Sequence, residues 1–146
     1  MSRSIQFPTG FYQAIIGWTT LNFEWALMDS SWPQDESVEV YMADISAYEC
    51  AAVGYSRQSV TSPSVSIGLA PAAEGLGYIG LLCDPPQFGV LSDFNFYTSV
   101  VLFNQVTNDA DSPIVAAIPC SYLADGSAAD FLVSATLGPA YVSTSC

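Results

Sequence analysis

Turn-forming residues interrupt this sequence so often that no long element can run through most of it. Clusters such as Asp29-Ser30-Ser31, Thr61-Ser62-Pro63-Ser64, Asp84-Pro85-Pro86 and Asn108-Asp109-Ala110-Asp111-Ser112-Pro113 break the chain into short runs spaced roughly 8–15 residues apart. Gly, Pro, Asx and Ser each favour turn backbone for their own steric or hydrogen-bonding reason. Between the clusters lie short apolar runs rich in aromatic and β-branched residues, the composition of strands. About eight such runs predict an all-β fold, a single-domain antiparallel β-sandwich or barrel with at most one or two short helices.

The clearest run is Leu21–Gln34. Phe23, Trp25 and Leu27 alternate with Asn22, Glu24 and Ala26, which predicts a strand with one apolar face. Its polar end, Asp29-Ser30-Ser31, leads to Trp32 and Pro33, and Pro33 bars continuation as a central strand. Trp32 in this turn is read either as an interface anchor or as a lid on the core. Further strands are expected at 53–60, 65–69, 78–83, 97–106, 114–118, 131–136 and 140–143. Residues 11–17 fit a helix or a strand equally. In Val38–Ala52 the spacing of Val38, Tyr41, Met42 and Ile45 favours a short helix or irregular turn, with Ser37 as the candidate cap, although Val38–Met42 also alternates as a strand would. Residues 1–10 read as an N-terminal arm, disordered or docked on a neighbouring subunit, and 11–146 as the β-sandwich domain.

Charge sets the chemistry. The chain of 146 residues holds 14 acidic residues against Arg3 and Arg57, for a formal net charge of −12, with no lysine and no histidine. Such a surface repels phosphate backbones and anionic lipid, so direct nucleic-acid and membrane partners are not expected. Schiff-base chemistry lacks its lysine, and Ser or Cys nucleophiles lack a histidine base. Cys50, Cys83, Cys120 and Cys146 are too widely spaced for a zinc site. Cys50 and Cys83 read as buried small hydrophobes. No signal peptide is expected, and pairing of the cysteines stays open.

Two acidic patterns invite a functional reading. Asp109-Ala110-Asp111-Ser112 offers carboxylates to Ca²⁺ but lacks the Gly and bidentate Glu of an EF-hand loop, so a solvated loop is the better reading. Asp35/Glu36, or Glu24 with a distant partner, suits acid–base glycoside hydrolysis only as any carboxylate pair does. No catalytic, cofactor-binding or metal-binding residue is assigned, no cofactor is expected, and the chain is read as a non-enzyme.

The order of segments resembles the small structural proteins encoded among the virion genes of tailed bacteriophages. The early strand and polar turn of that group are similar to Phe23–Pro33, FEWALMDSSWP. A segment with the pattern D-I…E…G-Y-x-R corresponds to Asp44–Arg57 through Asp44, Ile45, Glu49, Gly54, Tyr55 and Arg57. The apolar strand, polar loop and S-P-I resemble Val100–Ile118, and Gly126–Gly138 resembles the last strand and turn. The resemblance implies a virion component without enzymatic activity. Its first form is a capsid decoration (cement) protein on the capsid exterior, bound to the major capsid protein and to copies of itself, in a trimer if around a local symmetry axis. Its second is a tail- or fibre-associated protein in host-surface glycan attachment. The interface residues it suggests are Arg3, Trp32, Pro33 and Arg57. Each Arg would meet a carboxylate on a neighbour or, for Arg57, one in its own chain.

Overall fold

A computed structural model of the chain describes residues 5–69, 76–84, 86–91, 95–123 and 140–143. Among these residues two antiparallel sheets carry the fold, with two short helices and one 3₁₀ turn. The expected all-β, sandwich-like class is what the chain adopts, without a closed barrel among the described strands.

The first sheet is built from β1 (Ile5–Gln6), β2 (Phe23–Asp29), β3 (Gln58–Ser59), β6 (Phe96–Asn104) and β7 (Ile114–Leu123), in the order β1-β7-β6-β2-β3. The second holds β4 (Ser64–Leu69), β5 (Leu76–Leu82) and β8 (Ala140–Ser143), in the order β4-β5-β8. Helix α1 spans Pro8–Gly17 and helix α2 Met42–Ile45, with the 3₁₀ turn at Ser46–Tyr48.

β2 departs from the expected single apolar face. Phe23, Trp25 and Leu27 do share one face, where they join Trp18, Val100, Leu102, Val115, Leu81, Phe88 and Leu91. The opposite face is buried too: Ala26 and Met28 pack with Phe7, Trp32, Met42, Ile45, Val101, Phe103, Ile114 and Ala117. A strand between β6 and β3 and covered on both sides has no water-facing row. Each face follows from the period of two, so neighbours Val100/Val101 and Leu102/Phe103 divide between the two cores.

The N-terminal segment belongs to this sheet. Ile5 and Gln6 pair with Ala117 and Ala116, Phe7 donates its N–H to the Val115 carbonyl at 2.9 Å, and Phe7 is buried. The arm boundary drawn after residue 10 therefore shifts: residues 5–10 dock on their own chain, and only residues 1–4 lie outside the described part. Pro8 then starts α1 at the first helical position, where its missing N–H and fixed φ cost nothing. Gly10, Ala14 and Gly17 form the buried face of α1, while Tyr12 and Ile16 point to solvent.

β7 runs to Leu123, through Pro119 and past the expected end at 118. β1 covers it at Ala116 and Ala117, so among the described strands β7 is an edge at Pro119, where proline is tolerated. The partner β6 answers with a register shift between Tyr97 and Ser99. The strand expected at 53–60 shrinks to Gln58–Ser59, because Gly54 takes φ +88° in a turn closed by Tyr55 N–H to Ala52 O. Helix α2 begins at Met42, with Asp44 accepting the N–H groups of Val40 and Tyr41, both at 2.9 Å, so Ser37 is not its cap and Val38 is exposed. The strand expected at 131–136 lies outside the described residues.

Candidate functional site

Two polar constellations stand out, and both touch the buried second face of the first sheet. The first centres on Arg57. Glu49 is placed by an isolated bridge opposite Met28, and Cys50 N–H donates to Leu27 O at 2.9 Å. Asp109 is placed by the 105–113 loop, whose Asp111 accepts the N–H groups of Thr107 and Asn108. Arg57 donates Nε–H to Glu49 Oε1 at 2.8 Å and Nη2–H to Glu49 Oε2 at 2.7 Å. It also donates Nη1–H to Asp109 Oδ1 at 2.7 Å and Nη2–H to Asp109 Oδ2 at 2.9 Å. Its guanidinium lies 4.9 Å from the Phe103 ring centroid, a cation–π contact.

Tyr55 extends the network inward. Its hydroxyl donates to Glu49 Oε1 at 2.7 Å and accepts the Leu27 N–H at 3.2 Å. Burial and the Glu49 charge push the Tyr55 hydroxyl far above the ordinary phenol range. Hydrogen bonds from Arg57 hold Asp109 below the ordinary carboxylate range. Four of the five guanidinium N–H groups are committed inside the chain, so this cluster is a strut between β2, the 49–57 loop and the 105–113 loop. Of the two readings of Arg57, the intrachain pair is the one formed.

The second constellation starts at Trp32, which is 5% exposed. Its ring stacks on Phe7 with centroids 6.3 Å apart, and Nε1–H donates to Glu39 Oε2 at 3.0 Å. Trp32 thus serves as a lid on the core rather than an exposed anchor; Pro33, beside it, is exposed. Asp29 accepts the Ser31 N–H and hydroxyl and turns the chain, Gln34 takes φ +57°, and Asp35 N–H donates to the same Glu39 Oε2 at 3.0 Å. Beside Glu39 opens a cleft of about 140 Å³ between Phe7, Pro8, Ile114, Val40 and Glu36. Glu39 is 7% exposed, and burial raises its carboxyl above the ordinary range, with the charges of Asp35 and Asp44 adding to the effect.

Glu39 was not singled out by the sequence. The available signal was a glutamate inside the otherwise apolar run Val38-Glu39-Val40-Tyr41-Met42, which reads as an exposed position until Trp32 folds over it. Asp35 is committed to a turn through Ser37, and Glu24 sits half-buried on β2. Arg3 lies outside the described residues.

The thiols offer no ready nucleophile among the described residues. Burial raises Cys83 to about 11, with Asp84 adding, and Cys120 to about 12, so neither is a thiolate at neutral pH. Cys50 is buried and its Sγ lies 3.0 Å from the Tyr97 hydroxyl, whereas Cys83 is only half-buried. Cys146 lies outside the described residues. No helix among the described residues is long and apolar enough to cross a membrane. Comparison of the chain with protein-family models, with curated proteins and with solved structures returns no match.

Proposed function

We propose that this chain is a non-enzymatic structural protein of a tailed-phage virion that decorates the outer face of the capsid and binds the major capsid protein. The observation that carries this reading is where the polar groups are spent. Glu49, Asp109, Asp111, Asp44 and Asp35 accept hydrogen bonds from Arg57 or from their own turns, and so hold loops rather than face a substrate. Large apolar side chains meanwhile stand in solvent: Tyr12 and Ile16 on α1, and Val53 in a loop at 87% exposure. Fixed loops with exposed apolar side chains suit a surface that is contacted. The resemblance to small phage virion proteins supplies the setting, and the −12 charge suits the side of a shell turned away from DNA.

Quantitative mass spectrometry of purified particles tests this. The expected result is many copies per particle, with cryo-electron microscopy density on the capsid exterior. Absence from particles, or a few copies confined to the tail, overturns the decoration role.

A further inference from the structure

The Glu39 carboxylate has a charge that the fold does not need. Both of its hydrogen bonds, from Trp32 Nε1 and Asp35 N, arrive at Oε2. An amide oxygen would accept the same two donors without placing a charge at a site 7% exposed. A buried carboxylate is ordinarily paired with a cation, yet the described salt bridges all belong to Arg57. Oε1 takes no hydrogen bond among the described residues. Glu39 itself lines the cleft, with a second carboxylate, Glu36, and the apolar Pro8, Val40 and Ile114 also in the lining.

We propose that this cleft seats a lysine or arginine side chain presented by a partner protein, its aliphatic stem against Pro8, Val40 and Ile114 and its charged head between Glu39 and Glu36. The proposal rests on the reading of the chain as a docking subunit and names the chemistry of one contact. Long basic side chains bury their methylenes and keep the charge at a polar rim, which is the division of this cleft. Charge complementarity selects the partner: a second copy of the chain offers no lysine and, beside the engaged Arg57, only Arg3. With Arg3 the one basic side chain a second copy has beyond the engaged Arg57, the occupant assigned is a different protein with a basic surface.

Trp32 supplies the reporter, because its indole N–H bonds directly to the Glu39 carboxylate. The full chain, labelled with ¹⁵N, is titrated with the N-acetyl N-methylamides of lysine, arginine and norleucine. The expected result is a saturable shift of the Trp32 indole resonance over the millimolar range with lysine and arginine and none with norleucine, weakened about tenfold in Glu39→Gln. The pH midpoint reported by the same resonance falls when the cation is added, since a nearby positive charge favours the carboxylate. The ionisable groups facing Glu39 are Asp35 and Asp44 from its own segment and Glu36 on the cleft wall. Phe7, Pro8, Thr9 and Ile114, from the other elements, do not ionise.

Should Glu39→Gln fail to fold, the shift of the midpoint in the unaltered chain decides. No shift, an equal shift with norleucine, or an unmoved midpoint overturns the proposal. So does a response that appears only in Arg3→Ala, which would mean that the chain fills its own cleft. None of these outcomes depends on whether the chain is found on a particle.

Discussion

The backbone carbonyl of Ile114 occupies the space where a side chain on Gly10 would begin. A Cβ added at Gly10 would also lie 2.5 Å from the Ile114 carbonyl carbon and 2.9 Å from Val115 N. Helix α1 lies against β7 so closely because Gly10 puts no side chain between the two backbones. Gly10→Ala is thus expected to destabilise the chain by about 1–3 kcal/mol, as overpacking does, despite the better helix propensity of alanine. Gly17→Ala is the control. Its Cβ meets no backbone atom among its nearest neighbours, only the Thr20 hydroxyl at 3.5 Å and the Leu21 side chain, which is 44% exposed and free to turn away. Urea denaturation that ranks the two variants equally would show that α1 does not pack as described.

Trp25 lies in the heart of the first core at 0% exposure, and its indole N–H has no hydrogen-bond partner among the described residues. Two opposite effects follow. Trp25→Ala removes a large buried ring and should cost about 3–5 kcal/mol. Trp25→Phe loses part of the ring but also relieves an unsatisfied donor, itself a penalty of about 1–3 kcal/mol. The phenylalanine variant should accordingly lose less than half of what the alanine variant loses in chemical denaturation. Equal losses would mean that the indole N–H has a partner.

The alternation of Phe23, Trp25 and Leu27 and the turn clusters made the sheet readable in the sequence, because strand period and turn chemistry are local. β2, β4, β5, β6 and β8 fall close to where these signals put them. What was not readable depends on partners far along the chain. Ala26 and Met28 are inside because helix α2 and Trp32 cover the second face of β2, and nothing local to them says so. Val38 and Tyr41 have helical spacing but stand in solvent; of that stripe only Met42 and Ile45 are buried. At the candidate site, Arg57 was visible as a rare cation, while its choice of Glu49 and Asp109 rests on a separation of 52 residues for the latter. Glu39 was invisible because its burial is made by Trp32, a residue that sequence position alone left open between surface and core.

Arg57→Ala should destabilise the chain by about 2–3 kcal/mol at neutral pH, by leaving Glu49 and Asp109 face to face without their cation. That is below the 3–5 kcal/mol of a fully buried pair, because the Asp109 side chain is 35% exposed and its share is screened by solvent. The same pair gives an acid dependence. Asp109 has a lowered carboxyl in the fold, so its contribution is present above the unfolded-state value and is lost as pH falls through the folded one. Thermal melts at successive pH values from 7 downward should show the gap between Arg57→Ala and the unaltered chain narrowing below about pH 4. A gap independent of pH would place the loss in the Phe103 contact instead of the ion pairs.

Glu39 has the opposite sign. Its carboxyl is raised in the fold by burial, so the folded chain holds the proton more tightly than the unfolded chain does. Whatever stability Glu39 lends is full below its unfolded-state value and is lost as pH rises through the folded one. At neutral pH the ionised carboxylate consequently weighs against folding. Glu39→Gln keeps an acceptor for Trp32 Nε1 and Asp35 N and removes that charge. The variant should melt at a higher temperature than the unaltered chain at pH 7, with the difference closing at pH 4 and below. A stabilisation that persists in acid would trace to packing, and a variant that melts lower at pH 7 would mean that the Glu39 charge is already neutralised within the chain.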